Sequence, residues 1–120
     1  MKGYRKKLGQ WGEELAAKYL ESKGCELFTK NYQKRMGEID LICLLNEDLV
    51  FVEVKTRTTD KYGYGEEAVD QKKKKKISMM MDRFIRENDQ FVKLHPRFDI
   101  IVVEIKDLQP KFIHFENIEF

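Results

Sequence analysis

The stretch "GEIDLICLLNEDLVFVEVKTR", residues 37–57, decides the predicted fold because it has the pattern of a β-hairpin. Residues 38–45 and 49–56 are rich in the apolar residues that strands prefer, and the polar "NED" between them is typical of a hairpin connection. Apolar residues occupy both faces, so the hairpin is expected at the centre of a sheet that is covered on both sides.

Four charged side chains lie within these apolar strands: Glu38, Asp40, Glu53 and Lys55. Side chains alternate across a strand, so Ile39 and Leu41 are expected on one face and Asp40 on the other. A turn centred on residues 46–47 pairs Leu45 with Asp48. The same register places Asp40 opposite Glu53 and Glu38 opposite Lys55. The Cβ atoms of directly opposed residues are about 4.5–5.5 Å apart.

Two interpretations of these charges remain open from the residues alone. A cross-strand ion pair accounts for Glu38 and Lys55, but it does not account for Asp40 and Glu53, because opposed like charges destabilise a sheet. A divalent cation would turn that repulsion into coordination. Mg²⁺ typically takes one or two carboxylates, keeps several waters and binds substrate phosphate oxygens.

The rest of the chain predicts helices and further strands around this hairpin. Apolar periodicity predicts a first helix over residues 6–23, with Leu8, Trp11, Leu15 and Tyr19 on its packing face and Gly24 as its stop. The other predicted elements are a strand at 25–33, a helix at 67–88, a strand at 97–105 and an edge strand within 111–120. The order α-β-β-β-α-β-β predicts one α/β domain, residues 1–120, with a central mixed β-sheet flanked by helices.

Composition alone excludes few classes of function. The net charge is +2, so any argument for a nucleic-acid partner must come from clustered charges. No apolar run reaches the ~20 residues of a membrane span, so no membrane association is expected. Cys25 and Cys43 fit neither a disulfide framework nor a zinc pattern, which favours reduced thiols and a cytoplasmic location. His95 and His114 have no metal-like partner spacing, and Asp99 is expected to pair with Arg97 or a backbone donor.

A resemblance to a known family rests on several motifs. Asp40, followed after twelve residues by Glu53-Val54-Lys55, resembles the PD-(D/E)xK motif of the restriction-endonuclease-like superfamily. A wider set of segments resembles the YraN-type bacterial family, which is described as endonuclease-like and similar to archaeal Holliday-junction resolvases: "GQWGEELAAKYLESKG", "NYQKRMGEIDLI", "FVEVKTR" and "RFDIIVV". The resemblance covers nearly the whole chain and implies a restriction-endonuclease-like fold.

The resemblance also implies a metal site. Asp40 and Glu53 would bind Mg²⁺ or Mn²⁺, helped by the backbone carbonyl of Val54. Lys55 would position the attacking water or offset transition-state charge. Glu13 matches an acid on the first helix of resolvase-like relatives that joins the metal site, although on the residues alone it is equally well a solvated acid of the first helix. The implied activity is metal-dependent endonucleolytic hydrolysis of branched or structured DNA in repair or recombination.

Candidate nucleic-acid contacts come from basic and aromatic residues. The run "QKKKKK", residues 71–76, cannot form one stripe because consecutive helical residues point all round the axis. Within it, Lys73 falls on the apolar stripe of the second helix and Lys76 lies at the edge of that stripe. The full set of predicted contacts is Arg57, Lys73, Lys76, Lys34, Arg35 and Tyr64.

Two other functions remain open beside the nuclease. One is a non-catalytic nucleic-acid-binding module with a nuclease fold. The other is a protein-interaction domain in a DNA-processing complex. Relatives that cut symmetric junctions act as homodimers, so the resemblance also implies a homodimer.

Overall fold

A computed structural model describes residues 2–58, 70–107 and 109–120. Its elements are α1 (Lys2–Ser22), β1 (Glu26–Lys34), β2 (Gly37–Leu45), β3 (Asp48–Arg57), α2 (Gln71–Glu87), a short 3₁₀ helix (Asp89–Phe91), β4 (His95–Lys106) and β5 (Gln109–Phe115). The predicted element order is therefore confirmed, and the 3₁₀ helix is an addition that the sequence pattern did not reveal.

The strands form one mixed sheet of five strands in the order β1-β2-β3-β4-β5. Neighbouring strands pair antiparallel except β3 and β4, which pair in parallel from Asp48 with His95 to Arg57 with Glu104. A parallel pair needs a crossover connection, and α2 lies in the chain between these two strands. The β2–β3 hairpin is central and β5 is an edge strand, as predicted.

Helices cover both faces of the sheet, so two apolar clusters form. We call the first the α2-side cluster; it packs residues of α2 such as Met80 and Phe84 against Phe51 of β3. The second is the α1-side cluster, which packs residues of α1 such as Leu20 against Val50 and Val52 of β3. Burial on both faces explains why β3 and β4 are nearly continuous apolar runs rather than alternating ones.

The helix ends follow local capping chemistry. Gly24 ends α1 with φ of +94°, a left-handed conformation that glycine adopts readily, and Cys25 N–H donates to Leu20 C=O at 3.0 Å. Helix α1 starts at Lys2, earlier than the predicted residue 6. Asp70 is extended, with φ of −83° and ψ of 177°, and its side chain accepts from Lys73 N–H at 2.8 Å. Helix α2 therefore begins at Gln71, and residues 67–69 of the predicted helix lie outside the described residues.

The packing face of α1 agrees with the prediction at Leu15 and Tyr19, which pack against the α1-side cluster, and differs from it at Trp11. Trp11 is 41% exposed, whereas Ala16 and Leu20 are buried against the sheet. The cause is the close approach of Gly12 to β3, because a Cβ built on Gly12 would stand 1.8 Å from Thr56 Oγ1. The helix turns its small residues to the sheet, and the larger Trp11 is left at the surface.

The remaining global expectations concern membranes and thiols. In the part of the chain that the structure describes, no helix is long and apolar enough to cross a membrane. Cys25 and Cys43 are buried and not bonded to each other. Burial raises the pKa of both thiols, that of Cys43 to about 12, so neither is a reactive thiolate.

Candidate functional site

The β2–β3 hairpin opens at the end where its acids lie. Leu45 pairs with Asp48 as predicted, and the pairing continues to Leu41 with Val52, where it stops. One step further, Asp40 Oδ2 accepts a hydrogen bond from Val54 N–H at 2.8 Å. The Asp40 side chain thus takes the place of a β2 carbonyl, and the two strands separate around it.

Strand β2 also changes face at Asp40. Ile39 packs in the α2-side cluster and Leu41 packs in the α1-side cluster, so the prediction that they share a face is wrong. The register between β1 and β2 shifts earlier, between Leu27 and Thr29, and Lys30 then pairs with Leu41 and Tyr32 with Ile39. Between them, Asn31 has φ of +51°, the left-handed region that Asn visits more readily than most residues.

Asp40 lies in an environment that opposes its negative charge. The pKa of this carboxyl is raised to about 7: burial raises it most, the hydrogen bond from Val54 lowers it in part, and the charges of Glu13, Glu53 and Glu38 add to the increase. The acids that sequence analysis selected therefore converge electrostatically on Asp40. Such a cluster favours a bound cation, because a cation would compensate the repulsion between carboxylates.

Glu53 brings one paired and one unpaired oxygen to this site. Its Oε1 lies 2.7 Å from Lys73 Nζ. Its Oε2 is buried and has no hydrogen-bond partner in the described part of the chain. A buried carboxylate oxygen without a partner is costly and marks a place where a ligand is expected.

Two lysines share the neighbourhood of Glu53. Burial lowers the pKa of Lys55, and the nearby charge of Lys73 lowers it further. Burial alone would lower the pKa of Lys73 as well, but its hydrogen bond and attraction to Glu53 prevail and raise it. Lys73 is thus the more firmly charged of the two, and Lys55 is the group whose charge is less well supported.

Asn31 links two further acids to the same place. Its side-chain amide donates to Glu13 Oε1 at 3.0 Å and to Glu38 Oε1 at 2.8 Å. This contact brings Glu13 of α1 to the opening of the hairpin. Sequence analysis did not identify Asn31, although Asn is depleted in strands and its presence inside β1 was a usable signal.

Two clefts flank the start of β2, and Glu38 belongs to both. We call the first the α2 cleft; it measures about 420 Å³ and is lined by Met36, Gly37, Glu38, Asp70, Lys72, Lys73, Lys76, Ile77 and Met80. The second, the α1 cleft, measures about 440 Å³ and is lined by Arg5, Lys6, Gly9, Gln10, Glu13, Asn31, Gln33 and Glu38. The converging acids therefore lie between a cleft on each face of the sheet.

The predicted nucleic-acid contacts are only partly brought together. Lys73 and Lys76 line the α2 cleft, where Lys72 joins them. Lys34 instead lies 3.3 Å from Glu87, and Arg35 is exposed in the β1–β2 turn. The predicted contact residue Arg57 ends β3. Tyr64, with the glycine-containing loop around it, lies outside the described residues.

A separate group of ligand-type side chains lies at the β4–β5 edge. Asp99, His114 and Glu116 each bring one ligand atom to within 4.8 Å of the others, so this group could hold a metal ion. The sequence spacing of His114 did not reveal this group, because the pairing of β4 with β5 brings Asp99 and His114 together. Arg97 donates to Asp99 Oδ2 at 3.0 Å and to Glu116 Oε1 at 3.1 Å, so a metal ion would have to compete with a guanidinium.

The residues at the hairpin opening fit a metal ion in donor type. Within residues 2–58, 70–107 and 109–120, the Asp99 group is the one place where three carboxylate, imidazole or thiol ligand atoms lie within 4.8 Å of one another. The acids at the hairpin opening do not come this close. Asp40 and Glu53 instead offer carboxylate oxygens, one of them unpartnered, to a cation that retains water and takes other ligands from its substrate. That donor set suits Mg²⁺ or Mn²⁺ and does not suit a closed structural zinc site.

Comparisons with known proteins define the family of this chain. The sequence profile of one family, described as "Uncharacterised protein family UPF0102", matches residues 12–103. Among similar proteins, a UPF0102 protein of Alkaliphilus oremlandii is 40% identical over 116 residues, covering 93% of this chain and 97% of that protein. A UPF0102 protein of Carboxydothermus hydrogenoformans is 41% identical over 114 residues, covering 95% and 96% respectively. The chain therefore belongs to the UPF0102 family, the YraN-like family that its motifs resemble.

Proposed function

We propose that this protein is a metal-dependent endonuclease of the PD-(D/E)xK type that hydrolyses phosphodiester bonds in branched or structured DNA. The observation that carries the proposal is the buried Glu53 Oε2, which has no hydrogen-bond partner among the described residues, beside an Asp40 carboxyl whose pKa is raised to about 7. Both features are costly in an isolated protein, and perturbed carboxylates of this kind are concentrated at functional sites.

Each residue has a role that follows from its contacts. Asp40 and Glu53 would hold the ion, and the Val54 carbonyl is the additional ligand that the resemblance implies. When bound, Mg²⁺ or Mn²⁺ supplies Lewis-acid stabilisation of a phosphoryl oxygen and lowers the pKa of a water molecule. Glu13, held by Asn31, would orient water at the edge of the site.

Lys73 and Lys55 would have different roles toward the phosphate. Lys73 is ion-paired with Glu53 and carries a well-supported charge, so it would attract and orient the phosphodiester. The lowered pKa of Lys55 weakens its hold on its proton, so Lys55 would donate a hydrogen bond to the oxygen where charge develops, or accept a proton from water.

Metal binding provides the first test and does not require a known substrate. Mn²⁺ or Mg²⁺ should raise the melting temperature of the wild-type protein, because a ligand that binds only the folded state stabilises it. Asp40→Asn should abolish this increase, whereas the exposed control Asp82→Asn should retain it. Equal increases in both variants would contradict the proposed metal site.

Cleavage of flap, junction, duplex and single-stranded DNA provides the second test. Glu53→Gln and Lys55→Met should each lower the cleavage rate by roughly a hundredfold or more. Glu13→Gln should lower it as well, while Glu14→Gln, an exposed neighbour on α1, should not. DNA binding without metal stabilisation would favour a non-catalytic binding module, and the absence of both would favour a protein-interaction domain.

A further inference from the structure

The α2 cleft has a basic wall and an apolar floor. One wall carries Lys72 and Lys76, exposed side chains from successive turns of α2 that form no ion pair within the described ranges. The floor is apolar, formed by Met36, Ile77 and Met80. Ile77 and Met80 are 6% and 1% exposed, so they present only their outer edges, while Met36 is half-buried and more accessible.

The cleft lining carries three lysines and two acids, so one positive charge is in excess, and both acids already accept hydrogen bonds from other groups. Asp70 is engaged as the N-cap of α2, where its carboxylate accepts from Lys73 N–H. Glu38 accepts from the Asn31 amide at 2.8 Å. Lys73 reaches from the cleft to Glu53, and Lys72 and Lys76 are the further cations that this surface offers to an anion.

A nucleotide matches this combination of charge and apolar surface. Its phosphates are anionic and suit lysine ammonium groups. Its base presents an apolar face that packs on side chains, and methionine sulfur contacts aromatic rings favourably. The cleft volume of about 420 Å³ lies in the range of pockets that bind small organic groups. Lys73 lines the cleft and contacts Glu53, so a strand held here leads directly to the candidate metal site.

We propose that the α2 cleft binds one unstacked nucleotide, with its base against Met36, above the buried Ile77 and Met80, and its flanking phosphates on Lys72 and Lys76. The proposal rests on the proposed nuclease function and specifies its substrate class. In an intact duplex both faces of each base are covered by neighbouring bases, so reaching the floor costs a few kcal/mol of unstacking. The preferred substrates are therefore strands with an unpaired nucleotide at the cut, such as flaps, branch points and single strands.

Binding experiments in EDTA separate this proposal from catalysis. DNA oligonucleotides carrying 2-aminopurine at an unpaired position report base stacking through their fluorescence, and matched RNA oligonucleotides distinguish the two nucleic acids. We expect the wild-type protein to change the fluorescence of a flap or single strand and to bind a blunt duplex at least roughly tenfold more weakly. An unchanged signal with tight binding, or equal affinity for the blunt duplex, would overturn the proposal.

Variants with matched controls locate the contact. Met36→Ala should weaken flap binding roughly fivefold and reduce the fluorescence change, whereas Met79→Ala, on the 48% exposed side of α2, should do neither. Lys76→Ala should weaken binding and lower the salt dependence by about one phosphate contact, whereas the exposed Lys75→Ala should not. Equal effects in a variant and its control would overturn the assignment to this cleft.

The outcomes also separate the two proposals. Selective loss of binding in Met36→Ala and Lys76→Ala without any metal-dependent cleavage would support the cleft and contradict the nuclease. Metal-dependent cleavage that Met36→Ala and Lys76→Ala leave unchanged, together with unchanged fluorescence, would support the nuclease and contradict the cleft. Melting temperatures of all four variants would show that they are folded.

Discussion

Asp40 accepts a hydrogen bond from Val54 where a main-chain carbonyl serves in the rest of the hairpin. The carboxyl is thereby held in a buried position among three other acids. A main-chain acceptor would have satisfied Val54 without any charge. The use of an ionisable carboxyl as the acceptor therefore lowers the stability of the folded protein. Features that lower stability in this way are concentrated at functional sites.

The cost of Asp40 predicts a pH dependence of stability in the absence of metal. Its folded pKa of about 7 exceeds the ordinary value of 3.8, so its stabilising contribution is complete below about pH 4 and is lost as the pH rises through 7. Asp40→Asn retains an acceptor for Val54 N–H but cannot ionise. Relative to wild type, this variant should gain up to about 3 kcal/mol in unfolding free energy between pH 5 and pH 8.

Urea unfolding in EDTA at these two pH values measures the difference. Asp82→Asn is the control, since an exposed carboxyl should show no such change. At pH 8, saturating Mn²⁺ should remove the deficit in unfolding free energy of the wild type relative to Asp40→Asn. A constant difference between Asp40→Asn and wild type across this range would mean that the carboxyl is not held in an unfavourable environment.

Helix α1 is positioned by one close contact with β3. A Cβ at Gly12 would stand 1.8 Å from Thr56 Oγ1, so α1 can approach the sheet only because residue 12 has no side chain. Glu13 follows directly and reaches Asn31. The distance between helix and sheet therefore sets the position of a candidate site residue.

Two glycines of α1 should respond in opposite directions to the same substitution. Gly12→Ala should destabilise the protein by about 1–3 kcal/mol through overpacking against Thr56. Gly9→Ala meets nothing within 4 Å and should stabilise it by up to about 1 kcal/mol, since alanine favours helix. Adding Thr56→Ala should restore part of the stability lost in Gly12→Ala. Additive effects of the two substitutions would show that the contact does not carry the cost.

The sequence predicted most elements, and the hairpin register as far as Leu41 with Val52, because both depend on local patterns. The predicted pairs of Asp40 with Glu53 and of Glu38 with Lys55 lie beyond that point and are not among the pairs of the described strands. Leu45 pairs with Asp48 because a short polar turn separates two apolar strands. The face change at Asp40 was not predictable from alternation, which assumes a regular strand, and the left-handed Asn31 lies at the same level on the neighbouring strand. Trp11 was assigned to the core on its apolar character, but helix packing was decided by the small size of Gly12.

The candidate site was predictable for the residues that share one hairpin. Asp40 and Glu53 were found through their spacing, and Lys73 through its place on the α2 stripe. Asn31 was missed because its role is to link acids that are distant in sequence. The Asp99 group was missed for the same reason, since His114 comes from a different strand.

At the scale of the whole molecule, a second ionic network joins β3, β4, β5 and the C-terminal residues. Asp99 is fully buried and accepts from Arg97, from His114 at 2.7 Å and from Asn117 N–H at 2.9 Å. Burial by itself raises the pKa of Asp99, but these hydrogen bonds and the charge of Arg97 prevail and lower it. The network is thus a stabilising counterpart to the unfavourable charge of Asp40.

Removing the Asp99 charge should therefore cost stability without affecting the candidate metal site. Asp99→Asn should lower the unfolding free energy at pH 7 by about 3 kcal/mol, since it breaks a buried ion pair. Asp48→Asn, at the more exposed end of the same Arg97, should cost less than about 1 kcal/mol. Because the pKa of Asp99 is lowered, wild type should lose this advantage below about pH 4.

Urea unfolding at pH 7 and pH 3 checks these values. The increase in melting temperature with Mn²⁺ should persist in Asp99→Asn and be absent in Asp40→Asn. Similar costs for Asp99→Asn and Asp48→Asn at pH 7 would contradict the stabilising role of the buried network.

The one parallel pairing of the sheet has a consequence for how the chain reaches its native state. Strands β1 to β3 are sequential hairpins, and β4 and β5 form another, so each can order through contacts that are close in sequence. The β3–β4 contact instead joins Asp48 to His95, and its loop-closure entropy must be overcome before the two parts combine. We expect this docking to limit the refolding rate, so that the hairpin bearing Asp40 and Glu53 forms early and remains open to solvent until β4 covers its neighbour.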